Sequence, residues 1–153
     1  MSRDLFWLSW MCVSYPMFQG LCVTLVPLRM AALQFDETTV GLIQALPGVT
    51  VILLGPPFAQ MSNTRWRGWT LSFIFFLSGL ATLLFGFAES VLGFVIPQLL
   101  TGIATCAFYG NMLAASFQLT DVRGQSSVQG RITAFQGLGV FAGPLLGGYL
   151  LRY

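Results

Sequence analysis

Gln98, Thr101, Thr105 and Tyr109 follow one another at steps of three, four and four, a spacing that stacks side chains on one face of an α-helix. Asn111 falls on a neighbouring face, and Tyr15 and Gln19 repeat the four-residue step near the N-terminus. These are neutral hydrogen-bonding groups set among apolar neighbours, so they suit recognition of an uncharged or amphiphilic solute better than bond making. Histidine is absent, and no acid lies in the interior of an apolar run. With no nucleophile and base at a recognisable spacing, an enzyme is the least favoured class, and no catalytic residue or cofactor is assigned. Cys12, Cys22 and Cys106 sit singly inside apolar runs, which removes the usual zinc spacings, so no metal site is expected and the thiols read as buried and inert.

A second pattern, Gly130-x8-Gly139-x3-Gly143-Pro144-x2-Gly147-Gly148, is read near the C-terminus. Gly139, Gly143 and Gly147 recur every four residues and strip one helical face of side chains, which lets another backbone approach closely, while Pro144 invites a bend. Such a face serves packing in many membrane bundles.

These residues must be positioned by membrane-spanning elements. Only 8% of the 153 residues are charged and 56% are hydrophobic, far short of the polar groups that a water-facing surface needs. Five windows are long enough to cross the hydrocarbon at about 20 residues per crossing, namely 5–28, 40–59, 69–88, 91–118 and 134–151. Continuous apolar runs without alternation exclude barrel strands, so the expected fold is an all-α polytopic transmembrane bundle of about five helices, a single membrane domain over 1–153. The third window carries few polar groups and reads as peripheral, whereas the first and fourth hold the polar rows. In-membrane Gln and Thr have two readings: interhelical hydrogen bonds worth about 1 kcal/mol or less each, or the wall of a watery path.

The arginines set the expected orientation. An N-terminus inside leaves Arg3, Arg65, Arg67, Arg123 and Arg131 on the cytoplasmic side and Arg29 and Arg152 outside. They are scattered singly and the net charge is only +2, so nucleic acid is excluded as a partner. The lipid bilayer is the expected surrounding. The chain stops at Arg152-Tyr153 directly after the fifth window, an ending that looks like a truncation.

The glycine pattern resembles the fifth-helix motif of exporters in the major facilitator superfamily of secondary transporters, matching all six of its positions. The loop after the second window is similar to that family's cytoplasmic signature in part: Ala59, Met61, Ser62 and Asn63 stand for its Gly, Leu, Ala and Asp, Arg67 for its first basic position and Leu71 for the downstream Leu, while Thr64, Trp66 and Gly68 depart. Gln98-Leu-Leu-Thr-Gly102 occupies the place of an Arg-x-x-x-Gly element whose arginine is replaced. The resemblance implies most of an N-terminal six-helix half, with the first and fourth helices lining the path, in a plasma or bacterial inner membrane. The missing sixth helix and C-terminal half are then partners, together with a small-molecule substrate bound between the halves. Asn63 cannot supply the charge of the family's loop Asp, which weakens the electrostatic part of that lock. No proton-coupling group is built into this segment.

Two functions follow. The first is transport of a small organic solute by alternating access, with efflux favoured, the chain being inactive alone. The second is a membrane scaffold or assembly subunit that docks through the glycine-rich fifth helix.

Overall fold

Hydrocarbon offers no hydrogen-bonding partner to the backbone, so long apolar runs satisfy their amides along their own length as helices. A computed structural model describes residues 3–61, 67–118 and 124–150. It contains five helices among those residues: α1 (Arg3–Ala32), α2 (Glu37–Met61), α3 (Arg67–Phe87), α4 (Val91–Gln118) and α5 (Gln125–Leu150). All seven prolines lie within helices. In water each interior proline costs about 3 kcal/mol; in lipid the neighbouring amides have nowhere better to go, and the helix continues.

Among the described residues, four helices are long and apolar enough to cross a membrane, over Ser9–Ala32, Glu37–Phe58, Gly68–Phe87 and Val91–Ala115. The protein is therefore an all-α, multi-pass membrane chain. The described part of α5 falls below that apolarity because Gly130, Gly137, Gly139, Gly143, Gly147 and Gly148 dilute it. Leu151, the end of the expected fifth window, lies outside the described residues. The helices also overrun the windows read from apolarity: α5 starts at Gln125, and its first two turns expose Ser126, Ser127 and Arg131. A helix needs no apolar side chain to continue into the interface, so hydropathy marks the crossing and not the helix end.

The chain forms two compact units, one of residues 1–28 and 115–153, the other of residues 29–114. In the first, α1 and α5 run parallel. Gly139 lies against the Val13 carbonyl and the Met17 amide, Gly143 against the Met17 carbonyl and Gly20, and Gly147 against Leu21 and Thr24.

In the second unit, α2 and α4 are the parallel pair, with Gly102 against Thr50 and Pro47. The Cys106 thiol donates to the Thr50 carbonyl at 3.5 Å. α3 presents one buried face, Ile74, Leu77, Ser78, Ala81 and Phe85, and leaves Trp69, Phe76, Leu83 and Phe87 exposed. Phe94 is fully buried at the head of α4 and meets Phe35 edge-on and Phe85 tilted, with ring centroids at 5.8 and 6.4 Å.

The turns are built by local capping. α1 ends in a left-handed residue, Gln34 (φ 63°), with the Phe35 amide donating to Met30 and the Gln34 amide to Ala31; this is the six-to-one and five-to-two pairing that closes many helix C-termini. Asp36 then caps α2, its carboxylate accepting from the Thr39 amide at 2.9 Å and the Thr39 hydroxyl at 2.6 Å. Those two bonds, the hydroxyl first, hold the Asp36 carboxyl below its ordinary range. Ser90 caps α4 through the Gly93 amide at 3.2 Å. The Arg29 guanidinium donates twice, at 3.4 Å each, to the Ala88 carbonyl that follows α3, a cation placed at a helix C-terminus, where the dipole favours it.

Candidate functional site

The polar row of α4 is buried along most of its length. Gln98, Thr101 and Thr105 are between 4 and 8% exposed, and Tyr109, one turn on, is 40% exposed. Their hydrogen bonds differ in kind. The Thr101 hydroxyl donates to the Pro97 carbonyl at 2.9 Å and the Thr105 hydroxyl to the Thr101 carbonyl at 2.7 Å, the back-bonding that threonine adopts where water is absent. Gln98 instead reaches across to α2, its Nε2 donating to Gln44 Oε1 at 3.1 Å. Asn111 is fully buried; its Nδ2 donates to the Ala107 carbonyl at 2.7 Å, and its Oδ1 has no partner.

Gln98, Thr101, Thr105 and Tyr109 thus share the second unit, on one helix. Tyr15 and Gln19 share the first unit, on α1, with Tyr15 buried and Gln19 half-buried. The Tyr15 ring lies 6.4 Å from that of Phe18. Of the loop signature, Ala59 and Met61 are in the last turn of α2, Arg67 opens α3, and Leu71 is half-buried one turn later. Asn63 lies outside the described residues, as do Ser62, Thr64, Arg65 and Trp66.

The glycine motif divides sharply. A β-carbon at Gly139 or Gly143 would run into α1 backbone, and one at Gly20, the α1 glycine facing Gly143, would come within 2.8 Å of Pro144 Cδ. At Gly147 the nearest atom would be the Thr24 Cβ at 3.5 Å, ordinary contact, and at Gly130 and Gly148 nothing lies within 4 Å. The central glycines therefore serve α1 within their own unit. A scaffold that docks through this face would find it occupied.

Sequence reasoning passed over three residues that the structure brings forward. Gln44 is the acceptor for Gln98, and its signal was present as the amide inside the apolar second window. Gly20 and Thr50 are the partners of Gly143 and Gly102; a lone glycine and a lone threonine carry no spacing signal, and only the packed helices reveal them. The described residues contain no cluster of His, Cys, Asp or Glu able to hold a metal ion.

The family model described as Major Facilitator Superfamily matches residues 8–153. No curated protein and no solved structure matches the chain significantly.

Proposed function

Because this chain belongs to the major facilitator superfamily, we propose that it forms part of a transporter for a small uncharged or amphiphilic organic solute, working by alternating access and favouring efflux. The path follows Gln98, Thr101, Thr105 and Tyr109 on α4 and Tyr15 and Gln19 on α1. The observation that carries this reading is the α4 row itself: Gln98, Thr101, Thr105 and Tyr109 stand in register along one helical face, and polar side chains inside a membrane turn toward a bundle interior or a watery path. The row offers amide and phenol groups and no charge, which matches an uncharged solute. Substrate in this family binds near the bilayer midplane between two halves, so the reading also calls for a sixth helix and an opposing half as partners, completing one membrane domain that includes residues 1–153.

The efflux direction rests on the glycine motif, and the N-inside orientation on the arginine count. The membrane is a plasma or bacterial inner membrane on the same family-level ground. The loop signature at Ala59, Met61, Asn63, Arg67 and Leu71 is proposed as a hinge lock with its charge reduced, Asn63 positioning the helix end by hydrogen bonds alone.

The test is transport in vesicles by the complete reading frame. Gln98→Ala and Gln19→Ala should each weaken apparent solute affinity about fivefold, the worth of one net hydrogen bond. If both variants keep the wild-type affinity and rate, the path is misassigned.

A further inference from the structure

The Gln44–Gln98 pair leaves one strong donor unused. Gln44 Oε1 accepts from Gln98, while Gln44 Nε2 is buried and has no hydrogen-bond partner. A buried amide N–H without an acceptor costs about 1–3 kcal/mol, a cost that an acceptor oxygen reaching it would remove. The neighbouring face of α2 is bare. Gln44 leaves α2 on the same face as Gly41 and Gly48, three residues before and four after, and a β-carbon at either glycine would meet nothing within 4 Å. The donor is thus flanked by two stretches of bare helix.

We propose that Gln44 is a specificity-determining residue of the solute path, donating its unpaired Nε2 hydrogen to a carbonyl-type oxygen of the bound solute while Gln98 holds the amide in place. The proposal rests on the transport reading and sharpens its substrate class to neutral solutes that carry an acceptor oxygen. Depth separates a solute from a lipid ester as the source of that oxygen. The α2 crossing, Glu37–Phe58, has 22 residues and is about 33 Å long, close to the hydrocarbon thickness of about 30 Å. Gln44 lies about two turns inside its N-terminal end, roughly 10 Å below the level of the ester groups, beyond their reach.

The experiment uses the full chain in lipid nanodiscs, with glutamine side chains labelled with nitrogen-15 and the Gln44 signal identified by its loss in Gln44→Met. Benzophenone, a neutral carbonyl probe, is titrated against diphenylmethane, which has the same rings and no acceptor. The expected result is a shift of the Gln44 amide signal with benzophenone and none with diphenylmethane. Photolabelling of α2 and α4 by benzophenone should also fall about fivefold in Gln44→Met, the effect of one net hydrogen bond.

Equal shifts with both probes, no shift with either, or unchanged labelling in Gln44→Met would overturn the proposal. So would a Gln44 signal that moves between ester-linked and ether-linked lipid without any probe, since lipid would then be the acceptor. The probe comparison on the unmodified chain keeps the test independent of how well the variant folds. Binding is read here without transport, so a responsive Gln44 beside Gln98→Ala and Gln19→Ala variants that keep wild-type transport sinks the assigned path and with it the specificity role, whereas an unresponsive Gln44 beside weakened variants sinks this proposal alone.

Discussion

Gln34 occupies the left-handed conformation that ends α1, at φ 63°, a position where a β-carbon crowds the following carbonyl. It is exposed, so its side chain recovers nothing by packing. Gln34→Gly should raise the unfolding free energy by up to about 1 kcal/mol, the relief of the left-handed conformation less the extra freedom of glycine in the unfolded chain. Thermal unfolding in detergent, followed by circular dichroism, reads the shift. Asp36 gives a pH-dependent counterpart. Its carboxyl sits below the ordinary range because the Thr39 hydroxyl and amide bond the charged form. A depressed folded value means that the cap contributes fully above the unfolded carboxylate value and is lost as pH falls through the lower folded one. Hydrogen exchange at the Thr39 and Val40 amides should therefore stay protected through the mildly acidic range and accelerate only when the pH drops below about 4. In Asp36→Ala the same amides should exchange fast at every pH. Protection unchanged by that substitution would show that the cap does not hold the start of α2.

Between helices, the two units use the same device, a parallel pair brought close where one partner lacks a side chain: α1 with α5 at Gly20, Gly139 and Gly143, and α2 with α4 at Gly102. Lipid tails are as apolar as leucine, so nothing but close packing and hydrogen bonding draws these helices together, and every contact of bare backbone counts. Gly139→Ala and Gly143→Ala should each destabilise by about 3 kcal/mol, the upper end of overpacking costs, because the obstruction is backbone and has no flexible side chain to yield. Gly147→Ala should stay within about 0.5 kcal/mol, as expected for ordinary contact. Gly148→Ala should be neutral. A denaturation series over the four variants checks the order, and a Gly148 effect as large as that of Gly143 would refute the packing. The motif's spacing was legible in the sequence because an absent side chain is itself written there. Which glycines are jammed was not legible, since the obstructing atoms belong to Val13, Met17 and Gly20 more than a hundred residues away in the chain.

For the molecule as a whole, sequence reading succeeded where one physical force decides alone. Apolar runs of membrane-crossing length made α2, α3 and α4 visible, and the α4 window at 91–118 coincides with the helix. It fell short at α5, whose start at Gln125 is set by backbone continuity through polar residues. It also fell short at Gln44, whose role depends on which helix lies opposite. The same division governs activity. Under the transport reading proposed above, uncharged side chains hold the solute, but a barrier that opens to one side at a time needs two rigid parts rocking about the occupied site. On the same reading, the 153 residues would contribute the five described helices to that arrangement. Reconstituted alone into sealed vesicles, it should bind acceptor-bearing probes and yet move none of them across the bilayer above the leak of protein-free vesicles. Restoring a sixth helix and an opposing half by co-expression should raise the flux above that leak, and Gln98→Ala should then lower it. Flux from the 153 residues alone, saturable and sensitive to Gln98→Ala, would show that copies of this chain supply the opposing wall for one another. The unit of function would then be an oligomer and not a pair of different halves.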